Sequence, residues 1–196
     1  MLGLCISRPV AAETLLILGD SLSAGYRLTV EASWPHLLQQ HYQQSQKNIT
    51  IINASVSGHT SSQSLPLLSE QLKQHQPRWV LIELGANNGL QGLSLETLEH
   101  DLSKIITQVQ EAKARPILMQ IRIPPNYGKR YTEAFAAIYP RVAKQYGIPL
   151  VPFFMEEVVL EKSWLLDDQI HPNSIAQPFI AKWVADELDP YLNEKR

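Results

Sequence analysis

Residues 15–25 read LLILGDSLSAG: four apolar residues, a Gly-Asp-Ser turn, and a small-residue stretch that ends on a second glycine. A short run with no polar interruption has the pattern of a strand covered by helices on both faces. Runs of the same kind recur, so that strands are expected at residues 14–18, 49–54, 79–84, 116–121 and 150–153. Helical patterns fill the gaps. One is WPHLLQQHYQQ behind a capping Ser33, with Pro35 in its first turn. Another covers about 64–75. The clearest follows Ser94, where Leu95, Leu98, Leu102, Ile105, Ile106 and Val109 repeat at helical spacing. Two more are expected at 131–145 and at 175–188, the last placing Ile175, Phe179, Ile180, Trp183, Val184 and Leu188 on one face. Strand and helix in regular alternation predict an α/β fold, a three-layer α/β/α sandwich around a five-stranded parallel sheet. Ligands of such folds bind beyond the carboxyl ends of the strands.

That rule directs attention to the turns. Strands one, two and three run into Gly19-Asp20-Ser21, Ala54-Ser55-Val56-Ser57-Gly58 and Gly85-Ala86-Asn87-Asn88-Gly89. All three open on one edge, and DDQIHPN, residues 167–173, falls there too, between the last strand and the last helix. A nucleophilic serine needs a base, an acid to orient the base, and donors for the oxyanion. Asp168 precedes His171 by three residues, which lets a loop fold back so that the carboxylate meets one ring nitrogen and leaves the other free. Pro172 stiffens that loop, and Asn173 or Ser174 is placed to cap the final helix. The Ser21 N–H opens a turn where unpaired amides collect, Gly58 offers a second N–H with no side chain to block approach, and the Asn87 amide is a third donor. Singly, each has an ordinary structural role: Ser and Asp cap helices, His-Pro sits in surface loops, and Asn-Asn-Gly makes turns. Their coincidence at one sheet edge favours chemistry. A phosphate-cradling role does not fit, because neither Gly-x-x-x-x-Gly-Lys-Ser/Thr nor Gly-x-Gly-x-x-Gly is present after the first strand. The Gly-x-Ser-x-Gly elbow fails as well, since Ser23 stands at its second glycine.

Composition narrows the partners. A chain of 196 residues, 44% hydrophobic, suits one domain, taken as residues 13–196. A net charge of −2 with no Lys/Arg block leaves no footprint for nucleic acid or an anionic membrane, and no run approaches the ~18 apolar residues of a membrane span. The expected partner is a small molecule and the expected state a monomer. Cys5 is the only cysteine and the six histidines are scattered, so neither a metal site nor a cofactor is expected. Residues 1–12 have two readings. Val10-Ala11-Ala12 supplies the small residues of an export cleavage site, which gives a periplasmic protein carrying a signal remnant. The short apolar core without a basic lead instead fits a disordered start of a cytoplasmic protein.

The motifs GDSLS, SVSGHTS, GANNG and DDQIHPN resemble the four blocks of the SGNH, or GDSL, hydrolases. The likeness extends over essentially all of residues 14–192, including KQHQPRWVLIELG, MQIRIPPNYGKRY and VPFFMEEV, and is closest to the bacterial acyl-CoA thioesterase I / protease I / lysophospholipase (arylesterase) group. It implies a flavodoxin-like fold, a periplasmic address, and hydrolysis of acyl thioesters and esters. It also implies Ser21 as nucleophile, His171 as base, Asp168 as orienting acid, and Ser21 N–H, Gly58 N–H and Asn87 as the oxyanion hole. Two positions depart from the family pattern: Asn88 where an Asp is usual, which predicts a looser loop if that carboxylate is an anchor, and His59 where close relatives carry an acid. Leu90, Leu93, Leu95, Ile123, Pro124 and Pro125 are candidates for lining an acyl groove, and Arg122, Lys129 and Arg130 for meeting a phosphate. A carbohydrate O-deacetylase and a non-catalytic lipid- or glycan-binding module on the same fold remain open alternatives.

Overall fold

Leu15 to Leu18 are shut off from solvent in the first strand of a computed structural model that describes residues 13–193. The expectations for residues 1–12 therefore lie outside the described residues. The strands are β1 (Glu13–Gly19), β2 (Ile49–Asn53), β3 (Trp79–Glu83), β4 (Arg115–Met119) and β5 (Leu150–Val151). They form one sheet in the order β2-β1-β3-β4-β5, every pair parallel. The chain steps outward from β1 to β2 and then returns past β1 to β3. A crevice opens at that switch, beyond the carboxyl ends of β1 and β3.

The helices are α1 (Ser21–Ala24), α2 (Trp34–Gln44), α3 (Ser61–His75), α4 (Ala86–Leu90), α5 (Leu95–Glu111), α6 (Lys129–Ala136), α7 (Ile138–Tyr146), α8 (Met155–Val158) and α9 (Gln177–Leu192). One layer is built on α2 packed against α9, the other on α3 against α5 and α5 against α7. Trp34 joins the first layer to the sheet. It is fully buried, its indole N–H donates to the Leu22 carbonyl (3.1 Å), and its backbone N–H donates to Gln177 Oε1 on α9 (2.9 Å). Ser33 does hold the N-cap position of α2, but its hydroxyl donates to Val30 O (2.6 Å), so Gln177 satisfies the helix amide in its place.

Several boundaries differ from the sequence reading, for local reasons. The helix expected at 131–145 divides at Ala137. Pro140 falls in the first turn of α7, where a missing N–H leaves no acceptor unsatisfied, and would have broken one continuous helix. Ile175 lies outside α9 and is 65% exposed, because that helix starts only at Gln177 with a proline in its first turn. Its N-cap is Ala176, with no side-chain cap; Asn173 instead accepts from the Ile175 N–H (2.9 Å) in the preceding turn. At the other end α9 runs through Pro190 to Leu192. Helix α3 starts three residues earlier than expected, on a capping box made by Thr60 and Gln63.

Candidate active site

Each element ends where the site needs it. β1 runs into Asp20, whose Oδ1 accepts the Leu22 N–H (3.1 Å) and caps α1, so that Ser21 is the first helical residue and carries no capping duty. β2 leads to the turn closed by His59 N–H to Val56 O (3.2 Å), with Gly58 at φ 81°. β3 leads into α4, which carries Asn87 and Asn88. GANNG is therefore a helix opening and not a plain turn.

The loop before α9 folds back on itself. Leu165 and Pro172 form an antiparallel bridge, Leu166 N–H donates to His171 O (2.8 Å), and the Asn173 amide donates to the carbonyls of Ser163 (2.8 Å) and Leu165 (3.2 Å). Asn173 thus ties down the loop that holds the histidine, a role its place in the sequence did not disclose. Within the loop, Asp168 Oδ1 accepts the N–H groups of Ile170 (2.9 Å) and His171 (3.0 Å), and its Oδ2 lies 2.8 Å from His171 Nδ1. Burial alone would raise the Asp168 carboxyl; these bonds from His171 and Ile170 overcome it and bring the group down to about 2. An ionised carboxylate only accepts, so the proton is on Nδ1 and Nε2 is left as an acceptor. His171 Nε2 is 2.8 Å from Ser21 Oγ, across 150 positions of sequence. The Tyr26 ring lies against the imidazole (centroids 4.4 Å apart, planes at 37°), and Arg27 pairs with Asp167 at 2.7 Å.

Asp168, His171 and Ser21 thus stand in line. Ser21, Gly58 and Asn87 border a single cavity of about 660 Å³ beside His171. The Asn87 amide donates to His59 O (3.0 Å) and to Asp20 Oδ2 (3.3 Å). A Cβ on Gly58 would meet nothing within 4 Å, so clearance is not why glycine stands there; its positive φ is.

Of the expected lining residues, Leu90, Ile123, Pro124 and Pro125 do border the cavity. Leu93 does not. After α4 the chain turns at Gly92 (φ 64°) and carries Leu93 away, leaving it 40% exposed. Leu95 packs toward the core. Arg122 borders the cavity, its Nε 2.8 Å from Glu156, whereas Lys129 points to solvent beside Glu133. Sequence reasoning missed Tyr26, Phe153, Met155 and Val159. The last two come from α8 and its end, a stretch beyond the fifth strand for which the sequence offered no element. Among the described residues, no group of three or more His, Cys, Asp or Glu is arranged to hold a metal ion.

Asn88 is not a loose point. It is buried, its Oδ1 accepts Ser61 N–H (2.9 Å), and its Nδ2 donates to Ser61 Oγ (3.0 Å), which in turn donates to Asp101 (2.8 Å). The nearest carboxylate sits one hydroxyl further on, at Asp101, so Asn88 is held by hydrogen bonds without a charge of its own. Asn88→Asp loses the donated bond and brings a second carboxylate toward Asp101. Its kcat/KM is expected to stay within about tenfold of the parent, 1.4 kcal/mol in barrier, while Tm falls by about 2–4 °C; steady-state kinetics and thermal melting check both.

The GDSL-like Lipase/Acylhydrolase family description matches residues 17–177. The chain is 56% identical over 186 residues to the Escherichia coli protein named thioesterase 1/protease 1/lysophospholipase L1, covering 95% of this chain and 88% of that one. It is 47% identical to an arylesterase of Vibrio mimicus, covering 93% and 91%. Among solved structures it is similar to the psychrotrophic esterase EstA from Pseudoalteromonas sp. inhibited by monoethylphosphonate, with a TM-score of 0.91, 41% identity, and 93% of this chain and 100% of that one covered. With its sheet order, its four turns and its Ser-His-Asp alignment, the chain belongs to the GDSL-like lipase/acylhydrolase family.

Proposed function

We propose that this protein is a serine hydrolase that cleaves carboxylic esters and acyl thioesters through an acyl-enzyme on Ser21. The observation that carries the reading is His171, with Nε2 on Ser21 Oγ and Nδ1 on Asp168. His171 takes the Ser21 proton as Oγ attacks the acyl carbonyl, and Asp168 holds the ring in the required tautomer and stabilises the imidazolium. The oxyanion is received by the Ser21 N–H in the first turn of α1, by Gly58 N–H and by the Asn87 amide. His171 then protonates the leaving thiol or alcohol, and water repeats the sequence on the acyl-enzyme.

The substrate class follows from the walls. Leu90, Ile123, Pro124, Phe153, Met155 and Val159 offer apolar surface to an acyl chain, and Arg122, paired with Glu156, places a cation on the same wall. The printed names of the relatives, thioesterase, lysophospholipase and arylesterase, fit that surface. The same reading includes a monomer, since every member of the site comes from one chain, and a periplasmic address, supported by the small residues Val10-Ala11-Ala12. Cell fractionation and light scattering test these two points.

Purified protein is expected to react with a fluorophosphonate probe at Ser21 and to hydrolyse p-nitrophenyl esters and acyl-CoAs, with chains longer than acetyl preferred across a C2 to C16 series. Labelling at a different serine, no labelling, or acetyl-only turnover overturns the reading.

A further inference from the structure

Two carboxyl groups lie buried directly behind the nucleophile. The sheet register pairs Gly19 with Glu83, and both Asp20 and Glu83 are sealed from solvent. Glu83 Oε2 accepts the Ser23 hydroxyl (2.6 Å), and its Oε1 has no partner among the described residues. Room for this carboxyl comes from Gly19: a Cβ there would fall 2.7 Å from Oε2. Asp20 spends Oδ1 on the Leu22 N–H and Oδ2 on the Asn87 amide.

Among the described residues, no lysine or arginine pairs with either group. The other titratable neighbours are Tyr139 of α7, whose hydroxyl donates to Leu84 O (2.9 Å), His59, whose backbone O accepts the same Asn87 amide and whose ring Nδ1 is buried with no partner among the described residues, and His171, on the far side of Ser21. Burial pushes Asp20 up to about 7, against the pull of bonds from Leu22 and Asn87. Burial, and then the Asp20 charge, hold Glu83 well above the ordinary carboxyl range. Two carboxyls buried without a cation do not both ionise readily: the last proton of the pair stays on Glu83, and Asp20 is the member whose charge changes first as pH rises.

The Asn87 Nδ2 carries two hydrogens. One is committed to His59 O, and the other, the one an oxyanion would use, is shared with Asp20 Oδ2. We propose that Asp20, backed by Glu83, is a positioning residue for the oxyanion site: an ionised Asp20 competes for the Asn87 amide, and the site reaches full strength only while Asp20 holds its proton. This rests on the reading of Asn87 as an oxyanion donor. A carboxylate is a strong acceptor of that hydrogen and adds a negative charge beside the developing one. The protonated acid is a weaker acceptor and adds none.

The test is the pH profile of kcat/KM for an aryl ester, read as its shape so that a general loss of activity does not enter, with circular dichroism to confirm each variant's fold. The parent enzyme is expected to rise as His171 loses its proton and then to decline on the alkaline side by about tenfold, less than the ~10²–10³ lost when such a donor is removed outright. Asp20→Asn, which can still cap α1 but cannot ionise, should show no decline. Asn87→Ala should be slower throughout and also show none. Glu83→Gln should keep the decline, which assigns it to Asp20. Carbon-13 NMR of aspartate-labelled protein should find one carboxyl titrating near 7, the value expected of Asp20, and missing in Asp20→Asn. A decline that is absent from the parent, or that survives in Asp20→Asn or Asn87→Ala, overturns the proposal; so does an aspartate signal at that pH that Asp20→Asn leaves in place. If activity does not depend on Ser21, the functional reading fails. If it does, and the alkaline limb ignores Asp20, only the present inference fails.

Discussion

Ser21→Ala is expected to lower kcat for ester hydrolysis by about 10⁶-fold, the order lost when the nucleophile of a Ser-His-Asp set is removed. The proposed oxyanion donors and the apolar cavity wall survive, so a residual rate of ~10³–10⁴ over water is expected to remain. The variant also separates the two roles open to a serine after a strand. An N-cap serine replaced by alanine costs about 0.5–2 kcal/mol of stability. Here the cap is Asp20, accepting the Leu22 N–H, while Ser21 is already inside the helix. Tm should therefore stay put while kcat collapses. Stopped assays on the purified variant, with a melt on the same sample, decide it: a fall in Tm with activity retained would make Ser21 a cap and nothing more.

Asp168→Asn should cost about 10⁴ in kcat, because an amide no longer enforces the tautomer with the proton on Nδ1. Its oxygen can still accept from the Ile170 and His171 N–H groups, so the loop is expected to keep its shape. The loss should appear equally in the rate of fluorophosphonate labelling, which depends on the same proton transfer. Asp167→Asn next door is the control. Its pairing with Arg27 is at the surface, where such contacts contribute about 0–1 kcal/mol, and kcat should change by no more than a fewfold. The pH sign follows from the depressed carboxyl. The folded value of Asp168, about 2, is below its ordinary 3.8, so its contribution is fully present above 3.8 and fades as pH falls toward 2. Acid inactivation that sets in above pH 5 must come from other groups.

The sheet was legible because its signal is local. Continuous apolar runs such as Leu15–Leu18 and Trp79–Ile82 mark strands whatever surrounds them, and the five strands fall within two residues of their expected ends. The meeting of Ser21, Gly58, Asn87 and His171 at one cavity was legible for another reason: in a parallel sheet every β-to-α turn lies on one edge, so chain order alone brings these residues together. What sequence could not reveal depends on partners far away in the chain. The helix α8 is four residues long, too short for a period, and it is from here that Met155 enters the cavity wall. The security of Asn88 rests on Ser61 and Asp101, neither of which marks itself as a partner. Glu83 reads as one polar end to an apolar strand, and only the register with Gly19 puts its carboxyl under the nucleophile.

The separation of 150 positions between Ser21 and His171 has a consequence for the life of the chain. A polypeptide emerging from synthesis displays its nucleophile first and its base last, and the Asn173 and Gln177 contacts that seat the base are made only once the segment leading into α9 has arrived. Until then Ser21 is an ordinary alcohol in a solution full of acyl compounds. On the proposed mechanism, turnover is therefore expected only from chains whose last helix has docked.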